Sequence, residues 1–427
     1  MISETDLHLH DSLSGARTLD LADPLSKLRE EFEFPKTPNG ENQLYFAGHS
    51  LGLMPKRARE YVDKELDSWG KLGVEGHFKG DHPWLPYHEL ITESFAGVVG
   101  AKPSEVVAMN SLTVNLHLML VSFYRPTKKR YKILIENNAF PSDKYAVDSQ
   151  ARFHGFNPQD SIIELTPKPG ELTVSNESVI EQVEKCGDSL ALVLLGNCNY
   201  LSGQAFNFEQ ITKASHKCGA TVGFNLAHGA GNLELNLHDW DVDFAVWCSY
   251  KYLNAGPGGI AGTFVHERHF EDKTIPRFEG WWGHEKTTRF KMGPDFKAIK
   301  TVEAWQLSNP PIFQLASLRA SLELFDKATM PALNLRGKKL TSYFEYLVST
   351  NLKNEVTVLT PQGPHRGSML SLKFKNNSKS FTEKLHEKGV VVDFREPNII
   401  RATPAPLYNS YEDIYNLVQV IKNEIQS

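Results

Sequence analysis

Cysteine is scarce in this 427-residue chain: Cys186, Cys198, Cys218 and Cys248 are the whole supply, at separations of 12, 20 and 30 positions. No C-x-x-C pair exists, which excludes zinc ribbons, iron–sulfur clusters and thioredoxin-like redox chemistry on spacing alone. Thiols so dispersed read as reduced and mostly buried. Also missing is any run of about 18 apolar residues, the length a membrane helix needs. The first twenty residues carry Glu4, Asp6 and Asp11 rather than an apolar leader, and the closing Glu424-Ile425-Gln426-Ser427 matches no lipidation signal. A cytoplasmic protein without a membrane partner is expected, and the sequons at Asn176 and Asn376 are then chance matches. There is no basic excess either. Lys and Arg number 46 against 51 Asp and Glu, a formal net charge of -5, whereas a phosphate-backbone binder needs cations to release counterions. Nucleic acid is not an expected partner. Internal repeats and low-complexity tracts are absent as well.

What is present is an ordinary globular balance, 41% hydrophobic and 23% charged residues. The length suits two or three domains with ample apolar surface to bury. In the middle third, short apolar runs alternate with segments of helical spacing. Strands are predicted over 132–136 (KILIE), 161–165, 190–196 (LALVLLG), 221–226, 244–248 and 259–266, with amphipathic helices over 143–153, 176–185 and 208–217 between them. LALVLLG is apolar at nearly every position, the pattern of a strand covered on both faces, so the sheet should be mainly parallel between helical layers. Ligands bind such sheets at the carboxyl ends of the strands.

The flanks differ from this ladder. Residues 1–75 show short helical pieces and a Gly48-His49-Ser50-Leu51-Gly52 turn but no core of their own, and are expected to pack on the other domains. Residues 76–312 would form the large domain. From 313 onward the chain reads as helices over 313–327 and 333–350, strands over 356–359, 368–374 and 389–394, and a closing helix over 411–425. Helices and strands so grouped describe a smaller α+β domain over 313–427.

Two motifs fail on context. Gly256-Pro257-Gly258-Gly259-Ile260-Ala261 satisfies G-x-G-x-x-A, yet a strand rather than a helix is expected after it, so it is no dinucleotide fingerprint. His284-Glu285 opens like H-E-x-x-H, but position 288 is Thr and the second ligand is missing. No metal site is expected.

One constellation has chemistry behind it. Ser249-Tyr250-Lys251-Tyr252 puts a lysine in a glycine-flanked loop directly after a buried-looking strand. A partly desolvated amine there is nucleophilic and can form a Schiff base with a carbonyl cofactor. Other polar clusters sit at other element ends: Phe140-Pro141-Ser142-Asp143 after KILIE, Asn225 to His228 after the 221–226 strand, and Asn110 to Thr113 opening a helix, where backbone N–H groups can seat a phosphate. A lysine for the imine, a group for the ring nitrogen, an aromatic for stacking and hydroxyls for a phosphate make up the parts list of a pyridoxal-phosphate site.

At these residues the chain closely resembles the kynureninase family of fold-type I pyridoxal-phosphate enzymes. The resemblance runs from about Leu44 to Ile421 through YFAGHSLGLMPK, NSLTVNLHLML, FPSDKYA, LAHGAGNLELNLHDWDVDFAVWCSYKYLNAGPGGIAG, GWWGHEKTTRFKM, LSNPP and IIRATPAPLYNS. It implies hydrolysis of the Cβ–Cγ bond of L-kynurenine or 3-hydroxy-L-kynurenine, giving L-alanine and anthranilate or 3-hydroxyanthranilate, in tryptophan breakdown and NAD synthesis. Carried over by motif, Lys251 would hold the cofactor and Tyr250 would contact its phosphate and assist proton transfer. Leu112 and Thr113 would line the phosphate seat, Phe140 would stack on the ring, and Pro141, Ser142, Asp143, Gly196, Asn225 and His228 would complete the cofactor shell. Trp281 and Asn309 would reach cofactor phosphate and substrate from the second subunit of a homodimer with shared sites. Ser50 and His77 would lie near the substrate ring, and Arg401 would clamp the substrate carboxylate, which its planar fork matches.

There is one departure. Where the family reads GFDLAH, this chain has Gly223-Phe224-Asn225-Leu226-Ala227-His228. The family's aspartate keeps the pyridine nitrogen protonated, and an asparagine supplies no counter-charge. Two expectations follow: a working, slowed enzyme in which Asp143 provides the negative potential, or a cofactor-binding pseudoenzyme. A cysteine desulfurase or aminotransferase of the same cofactor class is a further alternative, though none of the four cysteines sits in a glycine-rich loop of the kind a desulfurase needs.

Overall fold

A computed structural model describes residues 10–363, 366–375 and 379–426; the sequon at Asn376 falls outside them. Its centre is a seven-stranded sheet built from β1 (Val106–Ala108), β2 (Lys132–Glu136), β3 (Ile162–Leu165), β4 (Leu190–Gly196), β5 (Thr221–Asn225), β6 (Phe244–Trp247) and β7 (Gly262–Val265). The spatial order is β1-β7-β6-β5-β4-β2-β3. Strands β3, β2, β4, β5 and β6 run parallel, and β7 lies antiparallel between β6 and β1. The sheet is therefore mixed and mainly parallel, as LALVLLG implies. In β4, Leu190, Val193 and Leu195 enter the core on one face, while Ala191, Leu192 and Leu194 enter the core on the other. All six are at most 5% exposed, and full burial of a leucine or valine is worth about 1.5–3 kcal/mol.

Helices α4 (Leu112–Phe123), α5 (Pro141–Phe153), α6 (Asn176–Cys186) and α7 (Phe208–Lys217) connect these strands; α1 (Leu13–Ala22), α2 (Lys56–Leu72) and α3 (Thr92–Val99) precede the ladder. The chain order leaves β2 beside β4, with β3 on the far side of β2, so connections diverge on either side of the β2–β4 boundary. That boundary is the topological switch point at which α/β sheets open a crevice. The hairpin β6–β7 makes its own demand: a Cβ at Gly262 would overlap the Trp247 indole across the pair.

After α8 (Ile312–Ala328) and α9 (Met330–Asn351), a four-stranded antiparallel sheet forms from β8 (Val356–Val358), β9 (Leu370–Phe374), β10 (Asp393–Arg395) and β11 (Ile399–Ala402), in the order β8-β9-β11-β10. Helices α10 (Lys379–Glu387) and α11 (Tyr411–Gln426) complete this region, whose core gathers Leu340, Phe344, Leu372, Ile400, Leu417 and Ile421.

Sequence periodicity misses three features. Strands β1 and β11 are three and four residues long, too short for an alternation to register. The 389–394 run divides: Val390–Val391 pairs in parallel with Leu44–Tyr45, while Asp393–Arg395 joins the antiparallel sheet. In the N-terminal segment, expected to hold only short helical pieces, α2 runs for 17 residues and packs along α8. A buried pair between Arg336 Nε and Asp23 Oδ2, at 2.5 Å, ties the same segment to α9.

Candidate active site

Four strand ends and two helix starts meet at the switch point. The cavity there is lined by Glu136 from the end of β2, Gly196 from the end of β4, Asn225 from the end of β5, and Tyr250 and Lys251 from the loop after β6. Leu112 and Thr113 from the first turn of α4, and Phe140, Ser142 and Asp143 from the start of α5, close its walls together with His228. Pro141 is the first residue of α5, where its fixed φ and missing N–H cost nothing. Asp143 follows in the first turn of α5, where the helix dipole favours a carboxylate.

Lys251 Nζ lies 3.2 Å from His228 Nε2 and sits over the rings of Phe140 and Tyr250 at 5.8 and 5.9 Å. Burial lowers the pKa of this amine, and the Arg401 and Arg395 charges lower it further against the opposing pull of Cys248 and Asp143. Burial also holds His228 well below its ordinary value, reinforced by Lys251. A neutral imidazole accepts from the ammonium, and its other nitrogen, Nδ1, is buried without a partner among the described residues. Tyr250 is raised by burial and then by Cys248, so its phenol stays protonated. The N–H of Gly52 donates to the Tyr250 carbonyl oxygen at 2.8 Å, and a Cβ at Gly52 would overlap the Lys251 carbonyl. The GHSLG turn thus braces the lysine loop from below.

Also lining the cavity, Asn225 Nδ2 donates to both oxygens of Asp143, at 2.9 and 2.8 Å, and Asn225 Oδ1 accepts from Ala227 N–H at 2.9 Å. Burial raises Asp143 to about 6, opposed by Asn225 and Lys251. Glu136 stands behind it, accepting from Gly196 N–H at 2.8 Å and from Asn199 Nδ2 at 2.5 Å; burial pushes it up to about 7. At α4, Ser111 makes no side-chain cap, so the first N–H groups of that 12-residue helix are free to meet an anion. Asn110 turns the chain there at φ 48°, a conformation asparagine tolerates.

Ten of the expected residues line one cavity: Leu112, Thr113, Phe140, Ser142, Asp143, Gly196, Asn225, His228, Tyr250 and Lys251. Arg401 is buried in β11, its Nε and Nη2 at 2.9 and 2.8 Å from Asp393 Oδ1, its Nη1 donating to the Tyr200 carbonyl at 2.5 Å. Ser50 Oγ donates to the other oxygen of Asp393 at 3.3 Å. Arg401, Ser50 and Pro141 are outside the lining of that cavity, and so are three further expected residues. His77 is half-buried, with Nδ1 at 3.1 Å from the Val74 carbonyl; the Trp281 indole N–H donates to the Arg289 carbonyl at 3.1 Å; Asn309 is exposed ahead of α8. Sequence reasoning missed Glu136, Asn199, Tyr200, Asp393 and His49, whose ring packs 6.5 Å from that of His228. Glu136 had one signal, a carboxylate closing an otherwise buried strand.

The kynureninase of Myxococcus xanthus (strain DK1622) is 57% identical to this chain over 413 residues, 96% of this chain and 97% of that protein. The chain belongs to the kynureninase family. A family model described as the kynureninase C-terminal domain matches residues 333–421, and the kynureninase of Koribacter versatilis (strain Ellin345) is 54% identical over 94% of this chain and 95% of that protein. Among solved structures, a C-DES mutant with glycine covalently linked to its PLP cofactor matches with a TM-score of 0.77 at 18% identity, over 92% of this chain and 99% of that one. The apo cysteine desulfurase of Thermococcus onnurineus NA1 matches at 0.72 and 18% identity, over 90% and 95%. At that identity the likeness shows the fold, which this kynureninase-family chain shares with both.

The residues present fit pyridoxal phosphate. A buried, pKa-lowered amine, an aromatic ring beside it, a buried carboxylate in the same cavity and an uncapped helix start form a donor set for an aldehyde, a flat heterocycle and an anion. The unpartnered His228 Nδ1 adds a buried polar atom with an unmet hydrogen bond.

Proposed function

We propose that the chain hydrolyses the Cβ–Cγ bond of L-kynurenine or 3-hydroxy-L-kynurenine, releasing L-alanine and anthranilate or 3-hydroxyanthranilate, with pyridoxal phosphate held by Lys251. The observation that carries this reading is the Lys251–His228–Asp143 cavity at the switch point of a kynureninase-family chain. Bound there, the cofactor supplies the electron sink that carbon–carbon cleavage needs. The chain's own residues do the rest. The N–H groups at the start of α4 and the Tyr250 hydroxyl would hold the phosphate, and Phe140 would stack on the ring with Pro141 and Ser142 beside it. Gly196 and His228 complete the enclosure. Asp143, kept in place by Asn225, would supply negative potential to the ring nitrogen. Arg401 binds the substrate carboxylate. Lys251 Nζ moves the α-proton, its lowered pKa leaving a larger share of free amine, and the protonated Tyr250 hydroxyl returns a proton to the alanine carbon. Ser50, His77 and Asn309 are assigned to the substrate ring, and Trp281 to the cofactor phosphate.

His77, Trp281 and Asn309 serve those roles only if a second copy brings them in, so we read the enzyme as a homodimer with shared sites. An exposed aromatic surface supports this: Trp69 packs on Phe313 at 6.2 Å, and Phe290 bridges Phe78 and Trp281 at 6.3 and 5.4 Å. All five are 39% exposed or more, and such patches mark interfaces. Trp281 belongs to this surface, and the His77 ring lies 6.3 Å from that of Phe78. The division at 1–75, 76–312 and 313–427 stays our reading of the domains, and four free thiols accord with a cytoplasmic site of action. Among the described residues no helix is long and apolar enough to cross a membrane.

Incubating the purified, cofactor-loaded protein with each substrate and recording product fluorescence tests the activity. Product from either one is expected; none from both overturns the reading.

A further inference from the structure

The geometry points to Asp393 as a positioning residue that aims the Arg401 fork at the substrate carboxylate. The inference rests on the activity proposed above. In the β10–β11 pairing, Asp393 and Arg401 are direct register partners, so the ion pair is set by the strands rather than by loop conformation. Of the five N–H groups of a guanidinium, Nε and Nη2 of Arg401 face Asp393 Oδ1 at 2.9 and 2.8 Å, and Nη1 donates to the Tyr200 carbonyl at 2.5 Å. Among the described residues this leaves both terminal nitrogens with N–H groups to spare. A guanidinium with N–H groups to spare on both terminal nitrogens can grip a carboxylate through two parallel bonds.

Charge balance agrees. Asp393 also receives Arg395, at 2.8 Å from Nε to Oδ1 and 3.2 Å from Nη2 to Oδ2, and the Ser50 hydroxyl at 3.3 Å. Two guanidiniums on one carboxylate leave a net charge of about +1, which one incoming carboxylate neutralises. The cluster adjoins the catalytic groups: Tyr200 lines the cavity, and the Arg401 and Arg395 charges reach both Lys251 and His228. Arg401 itself is only 2% exposed. A buried guanidinium with both inner edges anchored cannot swing to find its ligand. Removing the Asp393 charge would let the fork turn and leave Arg395 unpaired beside it.

The test compares the holoenzyme with Asp393→Asn and Asp393→Glu. For Asp393→Asn the KM for kynurenine rises on the order of tenfold, the factor equivalent to about 1.4 kcal/mol, while kcat changes by less than about twofold, the pattern of lost uniform binding. Asp393→Glu restores part of the affinity because the charge returns. A second readout needs no bond cleavage: titrating each holoenzyme with L-alanine and following the visible spectrum gives a binding constant that weakens in parallel. Unchanged KM and unchanged alanine binding in Asp393→Asn overturn the inference. So does a fall confined to kcat. If the unsubstituted protein binds alanine but turns over no kynurenine, the proposed activity fails, and the alanine titrations alone still decide the role of Asp393.

Discussion

The Asn225 amide nitrogen lies 2.9 and 2.8 Å from the two oxygens of the Asp143 carboxylate. An aspartate at 225 could not make that contact without a shared proton, because two carboxylates in one buried site repel. In this chain the negative charge of this buried pair therefore resides on Asp143, and position 225 orients it.

Restoring a carboxylate with Asn225→Asp separates these contributions. Turnover should rise roughly 5- to 30-fold, the difference between a charged and a neutral hydrogen bond at the electron sink. The cofactor-free variant should melt below the parent protein at neutral pH, since nothing then separates the two acids. Steady-state kinetics with 3-hydroxykynurenine and thermal melts without cofactor check both; equal rates would show that the second charge is immaterial.

Asp143 also sets a pH dependence of stability. Burial raises it from 3.8 to about 6, and Glu136 from 4.5 to about 7. A carboxyl raised on folding binds more protons in the native state than in the unfolded one between those values, so it makes stability fall as pH climbs from about 4 to about 7. Asp143→Asn removes one such group. Denaturant midpoints of the cofactor-free proteins across that window should decline less steeply in the variant; a parallel or steeper decline would place Asp143 outside the buried pair. The same variant should lose activity roughly 10- to 100-fold, as expected when a charge-assisted contact disappears.

Lys251→Ala should abolish both turnover and the visible absorbance of the lysine-bound cofactor. The variant should fold normally, because Lys251 Nζ contributes one polar contact, to His228. A spectrum identical to the parent's would mean that another amine carries the cofactor.

The exposed aromatic surface predicts a dimer that can be split. Trp69→Glu combined with Phe290→Glu should elute as a monomer in size-exclusion chromatography with light scattering. Each position is at least 50% exposed, and substitutions at such surface sites change stability by only about 0.5 kcal/mol. Activity should nonetheless collapse, because His77 and Trp281 lose their way into the partner's cavity. An active monomer would remove these residues from the site.

Much of this was legible in the chain itself. Apolar runs with no polar interruption, as in LALVLLG, specify strands covered on two faces, since every side chain of such a run must leave water whichever way it points. That determined the mainly parallel ladder, and with it the strand ends where Asn225 and Lys251 would emerge. The motifs around Lys251 and Phe140 named the chemistry. Pairing across distance was not legible. That Asn225 grips Asp143 from 82 positions away, that Glu136 backs them, and that Asp393 stands opposite Arg401 depend on which strands become neighbours. Strand order and register are settled by the packing of the whole sheet. Local spacing records what each segment buries, and only the assembled fold decides which charges then face each other in the dry interior.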